Sequence, residues 1–436
     1  MRYGTRLDSN IFLRVYAQRL DQNSTKLSLI AADTIGNAWN STQGGFRMDY
    51  YPSGANTLTL QGDFYGGDAN SNTKRSVTDG QNVLTRFTHV FSDKSNLIAQ
   101  LYFDRNWRTT PNTKASFFYE LNTYDLDVQH RFPLGNRQSI LWGLGYRLRQ
   151  DKTARSFVPL SRDMPLYSGF VQDEIELFPN KLKLTIGSKI LHNVFTGFEI
   201  QPSTRLAWTP AEGHTIWAAA SRAVRTPSRF DADLLAPRGF KSEKVNAYEL
   251  GYRVRPVDQL LLSFSTFYNH YDDLRSIDSA NTDTDPQLEV ILANSQLAES
   301  WGFEFSSNFQ LTESWRLHGG YTYFGNKISS TNPLVVAPIS MILESVDPHH
   351  VFMFQSILDL PKNFQFDLMG RYVGELPRAG AINKVPAYFT MDARLGWLFK
   401  QFEFSIVGQN LLKEDNTETG LSRIPRSIYG KFACRF

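Results

Sequence analysis

Hydrophobic and polar residues alternate along most of the chain with a period of two. Between positions 389 and 399, Phe389, Leu395 and Trp397 share the odd positions, while Asp392 and Arg394 occupy even ones. This period places successive side chains on opposite faces of a β-strand. The same pattern recurs at 364–372 and 315–323. Each run has about the 9–11 residues that a tilted strand needs to cross a bilayer.

The connections between these runs alternate strictly between short and long. The short ones are rich in Pro, Gly, Asn and Asp, as tight hairpins require, and there are ten of them: 8–10, 52–55, 92–95, 133–137, 179–181, 210–213, 256–258, 311–313, 361–363 and 400–401. The long ones are polar stretches at 21–44, 67–79, 108–117, 151–165, 222–242, 272–296, 325–348, 374–386 and 411–426, with 191–197 as a short exception. A soluble β-sandwich would also alternate, but this asymmetry is typical of an outer-membrane barrel.

The punctuation predicts twenty strands, at 11–20, 45–51, 57–65, 81–91, 96–107, 118–132, 138–149, 166–178, 182–189, 198–208, 215–221, 243–253, 259–271, 300–309, 315–324, 350–360, 364–373, 388–399, 402–410 and 427–436. Residues 1–7 are interpreted as the end of one more strand. The predicted fold is therefore all-β, a transmembrane antiparallel barrel of 20–21 strands. If the short turns are periplasmic, the last strand ends on the periplasmic side.

Composition narrows the class of protein. The 436 residues carry a formal net charge of +3, which indicates no nucleic-acid partner. Mean hydropathy is −0.35 and no apolar run reaches 18 residues, so a helical membrane span is excluded. The single cysteine, Cys434, excludes an internal disulfide. The first residues lack the apolar segment of a signal peptide, which an outer-membrane protein needs, so the natural N-terminus is expected to be missing.

Candidate metal ligands and catalytic groups are sparse. Asp347, His349 and His350 could ligate a metal, although a polar strand start is the preferred interpretation. Acidic residues between 278 and 285 could offer oxygens to Ca²⁺, but the spacing is not that of an EF-hand, and a polar surface loop is preferred. We therefore expect no metal, no cofactor and no enzyme activity.

Several segments in order resemble the barrel of the TonB-dependent receptors. They are SGFVQDEIELFPNKLKLTIGSKILHN at 168–193, GFEIQPSTRLAWTP at 197–210, IWAAASRAVRTPSRF at 216–230, SEKVNAYELGYR at 242–253, FYNHYDDLRS at 267–276, ESWGFEF at 299–305 and IPRSIYGKFACRF at 424–436. The resemblance covers essentially the whole chain. In the final strand Ile428, Phe432, Cys434 and Phe436 share one face, which resembles the signal read by the barrel assembly machinery.

The resemblance implies a receptor that takes up a scarce, bulky ligand, such as a ferric siderophore or a cobalamin, with the TonB complex as energy-coupling partner. Family members also carry a signal peptide, a TonB box, a plug and 22 strands. Residues 1–436 are therefore expected to be a plugless, N-terminally truncated barrel that lacks the first strand. Such a monomer in outer-membrane lipid is not expected to drive uptake alone. The alternatives are a passive porin-like channel, a structural barrel without transport, and a nonfunctional remnant.

Ligand contacts are predicted where aromatic and arginine side chains meet at the mouths of the long connections, because such groups suit flat, anionic chelates. The candidates are Trp107, Arg108, Phe117, Tyr119, Arg222, Arg225, Arg229 and Phe230. An aromatic girdle is the alternative for the first four, and packing in the barrel wall is the alternative for the others. Arg205, Arg371, Asp392 and Arg394 are expected to line the water-filled interior.

The number of strands also limits how the predicted barrel can close. The 1–7 segment runs in the same direction as the last strand, so pairing the two would be parallel. We expect either an antiparallel seam between 11–20 and 427–436, with twenty strands, or an open sheet, because an unpaired edge is costly in lipid.

Overall fold

The computed structural model describes residues 1–24, 26–27, 38–71, 74–110, 117–153, 157–233, 239–282, 285–332, 347–376, 384–418 and 422–434. Over these residues the chain is almost entirely β-structure. The exceptions are a short α-helix, α1 (Arg229–Asp233), and a 3-10 turn at Pro361–Asn363.

The strands follow one another with short and long connections in turn. The first twelve are β1 (Arg2–Asp8), β2 (Ile11–Gln22), β3 (Lys26–Leu27), β4 (Trp39–Ser53), β5 (Asn56–Ser71), β6 (Lys74–Ser92), β7 (Ser95–Thr110), β8 (Phe117–Leu134), β9 (Gln138–Thr153), β10 (Ser161–Phe178), β11 (Leu182–Asn193) and β12 (Gly197–Trp208). The others are β13 (His214–Arg225), β14 (Glu243–Val257), β15 (Leu260–Thr282), β16 (Asp285–Thr312), β17 (Trp315–Ser330), β18 (His350–Leu360), β19 (Phe364–Val373), β20 (Tyr388–Phe399), β21 (Phe402–Gln409), β22 (Asp415–Thr417), β23 (Ser422–Pro425) and β24 (Ser427–Cys434).

One sheet of 21 strands contains all of these except β3, β22 and β23. Each strand in it pairs antiparallel with its neighbours in the chain, from β1 with β2 to β21 with β24. The three short strands form a separate sheet at the long-connection end. The predicted fold class, a large antiparallel barrel wall of 20–21 strands, is confirmed.

The predicted strands are all present, and the bounds of β18, β19 and β20 agree to the residue. The long connections were predicted too long. Much of 67–79 belongs to β5 and β6, and β15 and β16 continue into 272–296. Beyond the bilayer both faces of a hairpin contact water, so hydrophobic and polar residues no longer alternate. The strands nevertheless continue there, because pairing satisfies their backbone N–H and C=O groups.

The twenty-strand seam is wrong. One edge of β2 pairs with β1 and its other edge pairs with β4, so no edge of β2 is left for the last strand. The segment predicted as the end of a strand is a strand in its own right, and a tight turn after Asp8 joins it to β2.

The faces of the wall strands separate by polarity as predicted. On β12, Phe198 is 75% exposed and shares its face with Ile200 and Trp208, while Glu199 on the other face is buried. Only eight hydrophobic residues of the described part are buried, against a long series of exposed aromatic and aliphatic ones. A soluble sandwich would bury such side chains in a dry core, so the apolar surface here is an outward, lipid-facing one.

Aromatic residues mark the two borders of this apolar surface. On β12 the outward aromatics Phe198 and Trp208 lie ten residues apart, and on β20 so do Phe389 and Phe399. At roughly 3.3 Å per residue and a tilt of about 40°, ten residues span about 25 Å, the height of the apolar band in outer-membrane barrels. The two rows therefore correspond to the two membrane interfaces.

The short-turn border is continuous around the last strands. Ring centroids lie 5.9 Å apart for Trp397 and Phe404, and 5.1 Å apart for Phe404 and Phe432. Because β24 ends beside the turn that joins β20 to β21, the chain leaves the wall at the short-turn end.

Candidate functional site at the long-connection end

The helix α1 folds back over the long-connection end of the wall. Ser228 precedes it, and the Ser228 backbone N–H donates to the Asp231 carboxylate at 2.9 Å. The Asp231 backbone N–H points back to the Ser228 hydroxyl at 3.4 Å. This reciprocal arrangement is a capping box with Asp in place of Glu, and it fixes the start of the helix. It explains why the segment following the Arg225–Thr226–Pro227 stretch leaves the strand.

The first side of α1 is held by a buried ion-pair cluster, which we call the inner cluster: Asp151, Arg162, Arg229 and Asp233. Arg229 Nη1 lies 2.8 Å from Asp151 Oδ1, and its Nε lies 2.7 Å from Asp233 Oδ2. Arg162 donates to Asp233 at 2.5 Å. The Asp151 side chain is 0% exposed and that of Arg229 is 7% exposed. Charges this deep are stable only while they remain paired.

The other side of α1 is held by an outer cluster of Asp231, Arg225, Glu243 and Arg275. Asp231 receives Arg225 at 3.1 Å and Arg275 at 3.2 Å. Arg225 also donates to Glu243. Through these pairs the helix is tied to β13, β14 and β15 at once.

Electrostatics keep the Asp231 carboxylate charged. Burial acts to raise its pKa, but hydrogen bonds from the Ser228 backbone and hydroxyl and from Arg225 outweigh that effect. The pKa of Asp231 therefore lies below its ordinary value.

Aromatic rings cover three of these arginines. The guanidinium of Arg162 lies 4.7 Å from the Phe195 ring centroid, and that of Arg275 lies 5.7 Å from the Phe230 ring centroid. Arg229 lies 5.5 Å from the Phe157 ring centroid. Stacking of this kind shields the charges and fixes the guanidinium planes.

The predicted contacts on β7 and β8 divide between the two faces. Trp107 is outward, where its ring lies 6.3 Å from that of Phe118 in the aromatic border. Arg108 and Tyr119 pair across the strands on the inward face, and Arg108 Nε donates to Ser76 at 3.0 Å. Phe117 starts β8, and its side chain lies outside the described residues.

The predicted contacts near α1 also divide. Arg222 pairs with Asn246 in register on the outward face of β13. Arg225 and Arg229 belong to the two clusters, and Phe230 stacks on Arg275 while 46% exposed. That all eight residues contact a ligand stays a prediction. The side chains of Trp107 and Arg222 lie on the outward face and point away from the interior.

One further inward arginine, Arg149, lies between these groups. It is half-buried on β9, near Arg147 and Tyr119. Its Nε is buried and has no hydrogen-bond partner, and within the described residues its side chain makes no ion pair. Arg147, by contrast, donates to Asp125 at 2.6 Å. Arg149 is thus a positive group without a carboxylate, aimed at the interior.

Sequence reasoning missed the carboxylates that organise this end. Asp151 and Arg162 lie inside the polar stretch predicted as a loop at 151–165, and they are opposed across the β9–β10 ladder. Asp231, Asp233 and Arg275 are far apart in sequence from some of their partners. The Ser228–Asp231 spacing of the capping box was the one local signal that could have placed α1.

The inward residues predicted to line the interior do so. Arg394 lies 2.9 Å from Asp367 and 3.0 Å from Glu403, and Arg371 lies 2.6 Å from Glu418. Asp392 accepts a hydrogen bond from the Asn410 backbone. Arg205 lines a polar cavity with Glu174.

At the C-terminus, Ile428 and Phe432 are exposed on the outward face, at 71% and 61%. Cys434 is exposed on the same face. Phe436 lies outside the described residues. Recognition of these residues by the assembly machinery stays a prediction.

The two histidines among the candidate metal ligands have other partners. His349 Nδ1 lies 2.8 Å from the Phe324 carbonyl oxygen, and His350 Nδ1 lies 2.8 Å from the Tyr321 hydroxyl. Among the described residues no group of three His, Cys, Asp or Glu side chains is arranged to hold a metal ion. The acidic side chains between 278 and 285 lie outside the described residues. None of the helices in the described part is long and apolar enough to cross a membrane.

Comparison with known proteins assigns the wall to a family. Residues 12–411 match the family described as TonB dependent receptor-like, beta-barrel. The chain belongs to the TonB-dependent receptor family. The receptor is accordingly an outer-membrane protein of Gram-negative type, and its family is one of receptors and transporters rather than enzymes.

Solved structures share the receptor's fold at low sequence identity. The ferric enterobactin receptor PfeA from Pseudomonas aeruginosa, in complex with enterobactin, is 15% identical with a TM-score of 0.81, covering 99% of this chain and 78% of that one. The FrpB iron transporter from Neisseria meningitidis is 12% identical with a TM-score of 0.82, covering 99% and 79%. The siderophore receptor PirA from Pseudomonas aeruginosa is 16% identical with a TM-score of 0.75, covering 100% and 76%. No curated protein sequence matches the receptor.

Proposed function

We propose that the receptor binds a bulky, anionic iron chelate of the ferric siderophore class at the extracellular end of its interior, for TonB-dependent uptake. The observation that carries the proposal is Arg149, a half-buried inward guanidinium without a carboxylate partner among the described residues. Arg108 and Tyr119 share that inward face. A guanidinium without a carboxylate partner, near an aromatic ring, suits a flat chelate with negative charge.

The two ion-pair clusters support this site indirectly. They use Arg225 and Arg229 to hold α1 against the wall, so these arginines would position the rim of the site rather than contact a ligand. The structural neighbours that bind or transport iron compounds share the fold, and that similarity supports the ligand class over a cobalamin.

Equilibrium binding to the folded 436-residue chain tests the proposal. Ferric enterobactin is titrated into the barrel in detergent, with quenching of tryptophan fluorescence as the signal and cyanocobalamin as the comparison ligand. We expect saturable binding of the ferric chelate, weakened about tenfold or more by Arg149→Ala, since a charge-assisted contact is worth about 1.5–3 kcal/mol. Arg222→Ala, on the outward face, should leave affinity unchanged.

Uptake is a separate matter. The described residues supply wall strands and the folded rim, and no described segment fills the interior. We propose that these 436 residues alone do not drive energised uptake. Restored growth on a ferric siderophore in a receptor-deficient strain would show this to be wrong.

The passive porin-like channel remains the second candidate, because a polar interior with no described segment across it would conduct ions. Single-channel recording distinguishes the two. A large conductance that ferric enterobactin does not change, together with no binding in the titration, would favour the porin-like or structural barrel.

A further inference from the structure

The last long connection of the wall is tied to the inward face of β19. It forms the short strands β22 and β23, which pair antiparallel with each other. Glu418 directly follows β22, and its carboxylate lies 2.6 Å from the guanidinium of Arg371 on β19. That guanidinium also lies 5.8 Å from the ring centroid of Tyr388. The connection is therefore held against the interior side of the wall.

A cavity of about 340 Å³ lies between this connection and the wall. Thr390 and Asp392 contribute polar groups from the inward face of β20, and Ile424 and Pro425 contribute apolar groups from β23. Met369, which pairs with Asp392 in register, adds an apolar contact from β19. The lining thus combines hydrogen-bonding groups with an apolar surface.

Asn410 places an acceptor without a partner in the lining of this cavity. It follows β21 with a φ of 52°, in the left-handed region that Asn adopts more readily than most residues. Its backbone N–H donates to the Asp392 carboxylate at 2.8 Å, and its Nδ2 donates to the Ile424 carbonyl oxygen at 3.0 Å. These bonds fix the side chain. Asn410 is 5% exposed, and its Oδ1 is buried without a hydrogen-bond partner among the described residues.

The charges in the lining do not cancel. Arg371 and Glu418 neutralise each other, whereas Asp392 makes no ion pair within the part of the chain that the structure describes. Arg394, the next inward residue of β20, is paired with two other carboxylates. The Asp392 carboxylate therefore leaves the lining with one net negative charge, which favours a ligand with a single positive charge.

The acceptors suit an ammonium group better than a metal ion. A primary ammonium carries three N–H donors, and the Asp392 carboxylate, Asn410 Oδ1 and the Thr390 hydroxyl supply three acceptors. Ca²⁺ takes about six to eight oxygen ligands, and this lining has one unpaired carboxylate. Among the described residues no group of three His, Cys, Asp or Glu side chains is arranged to hold a metal ion.

From the buried acceptor, the unpaired carboxylate and the cavity that joins them, we propose that this site binds the primary ammonium group of a small, free alkylamine. The ammonium would donate to Asp392, Asn410 and Thr390, and the alkyl chain would lie against the apolar side chains from β19 and β23. Arg149 lies on β9, and the wall strands β10 to β18 lie between it and β19. The amine site is therefore separate from the proposed chelate site.

Calorimetric titration of the full 436-residue chain in detergent at neutral pH tests the ligand class. The probe is n-butylammonium. The comparison ligands are tetramethylammonium, which has the charge without an N–H donor, n-butanol, which has the chain without the charge, and Ca²⁺. We expect one butylammonium to bind per chain, at least about tenfold tighter than each comparison ligand. Equal binding of tetramethylammonium, tighter binding of Ca²⁺, or no binding of butylammonium overturns the proposal.

Substitutions at the acceptors locate the site. Asp392→Asn removes the unpaired charge and should weaken butylammonium binding about tenfold or more. Thr390→Val keeps the shape of the side chain, removes one acceptor and should weaken binding by a smaller factor. Asp127→Asn, an equal change of charge on the inward face of β8, is the matched control and should leave the affinity unchanged. An unchanged affinity in Asp392→Asn, or an equal loss in Asp127→Asn, overturns the proposal.

Hydrogen exchange in the unaltered chain gives the position without relying on a variant. Butylammonium should slow exchange at Asn410 and in β22 and β23, and it should leave α1 and β9 unchanged. Protection at β9 in place of β22 and β23 would assign the amine to another site and overturn the proposal.

A lysine side chain of another polypeptide carries the same ammonium group. The tripeptide acetyl-Ala-Lys-Ala-amide is therefore titrated beside butylammonium. We expect it to bind more weakly, because its backbone does not fit a cavity of about 340 Å³. Tighter binding of the tripeptide would overturn the assignment to a free amine. None of these measurements involves an iron chelate, so their failure is separate from that of the proposed function.

Discussion

The two ends of the barrel are stabilised in different ways. At the short-turn end, aromatic rings such as Trp397, Phe404 and Phe432 contact one another along neighbouring strands, and the connections are a few residues long. At the long-connection end, buried carboxylates and arginines from β9, β10 and α1 meet in the inner cluster. The first end uses contacts between adjacent strands, and the second joins segments that lie about 80 residues apart, such as Asp151 and Arg229.

This difference follows from the surroundings of each end. The short-turn border must match a fixed membrane thickness, so a repeated local pattern is sufficient. The long connections extend into water. Specific ion pairs and hydrogen bonds must order them, because polar loops have little apolar area to bury. The receptor thus has a wall determined by repetition and a rim determined by individual ion pairs.

The largest effect is expected from Arg229→Ala. It leaves Asp151 buried without its cation, and such a loss costs about 3–5 kcal/mol. Hydrogen exchange in vesicles should show α1 and the start of β10 opening, while β20, β21 and β24 stay protected. Arg19→Ala, which breaks an exposed pair with Asp21, is the control and should leave the stability nearly unchanged. Equal effects of the two variants would show that the buried inner cluster contributes no more to stability than an exposed ion pair.

A charge on the lipid face should disturb the wall and spare the rim. Ile186→Arg places a guanidinium on the outward face of β11, at a cost of about 2–4 kcal/mol near the bilayer centre. Thr185→Arg, one residue away and facing the polar interior cavity, is the matched control. Denaturant unfolding in vesicles measures both. A Thr185→Arg loss as large as that of Ile186→Arg would reverse our assignment of the faces.

The next largest effect on stability is expected at Gly302, where neighbouring strands of the wall lie close together. A Cβ at Gly302 would lie 2.1 Å from the Tyr323 carbonyl oxygen and 2.8 Å from the Phe267 ring. Gly302→Ala should therefore cost about 1–3 kcal/mol in the same unfolding measurement, because the strands must move apart. Gly54→Ala, with no atom near the added Cβ, should be close to neutral. A neutral Gly302→Ala would mean that the strand spacing is less constrained than the structure indicates.

Lowering the pH is expected to give the smallest difference in stability between the two ends. The pKa of Asp231 is lower in the folded state than in the unfolded chain, so its stabilising contribution is complete above the unfolded value and is lost as the pH falls through the folded value. Exchange at α1 should increase below about pH 4, while exchange at the aromatic border stays constant. Asp231→Asn should have a faster exchange at neutral pH and a smaller acid response at α1.

The sequence alone determined the wall: strand number, alternation, the order of short and long connections, and the family resemblance carried by segments such as 168–193 and 299–305. That was possible because each lipid-crossing strand must satisfy the same local rule, with an apolar outward residue at every second position. It also located Arg225, Arg229 and Tyr119 at the rim. It could not assign their partners, and it placed the closing seam wrongly at 11–20.

Only the tertiary structure decided which arginines are paired and which, like Arg149, are not. It also decided that β1 pairs with the edge of β2 that the predicted seam would have needed. The reason is that an ion pair, like the pairing of a strand edge, requires contact between segments that are far apart in sequence. A hydrophobic pattern with a period of two does not specify which distant segment each residue will contact.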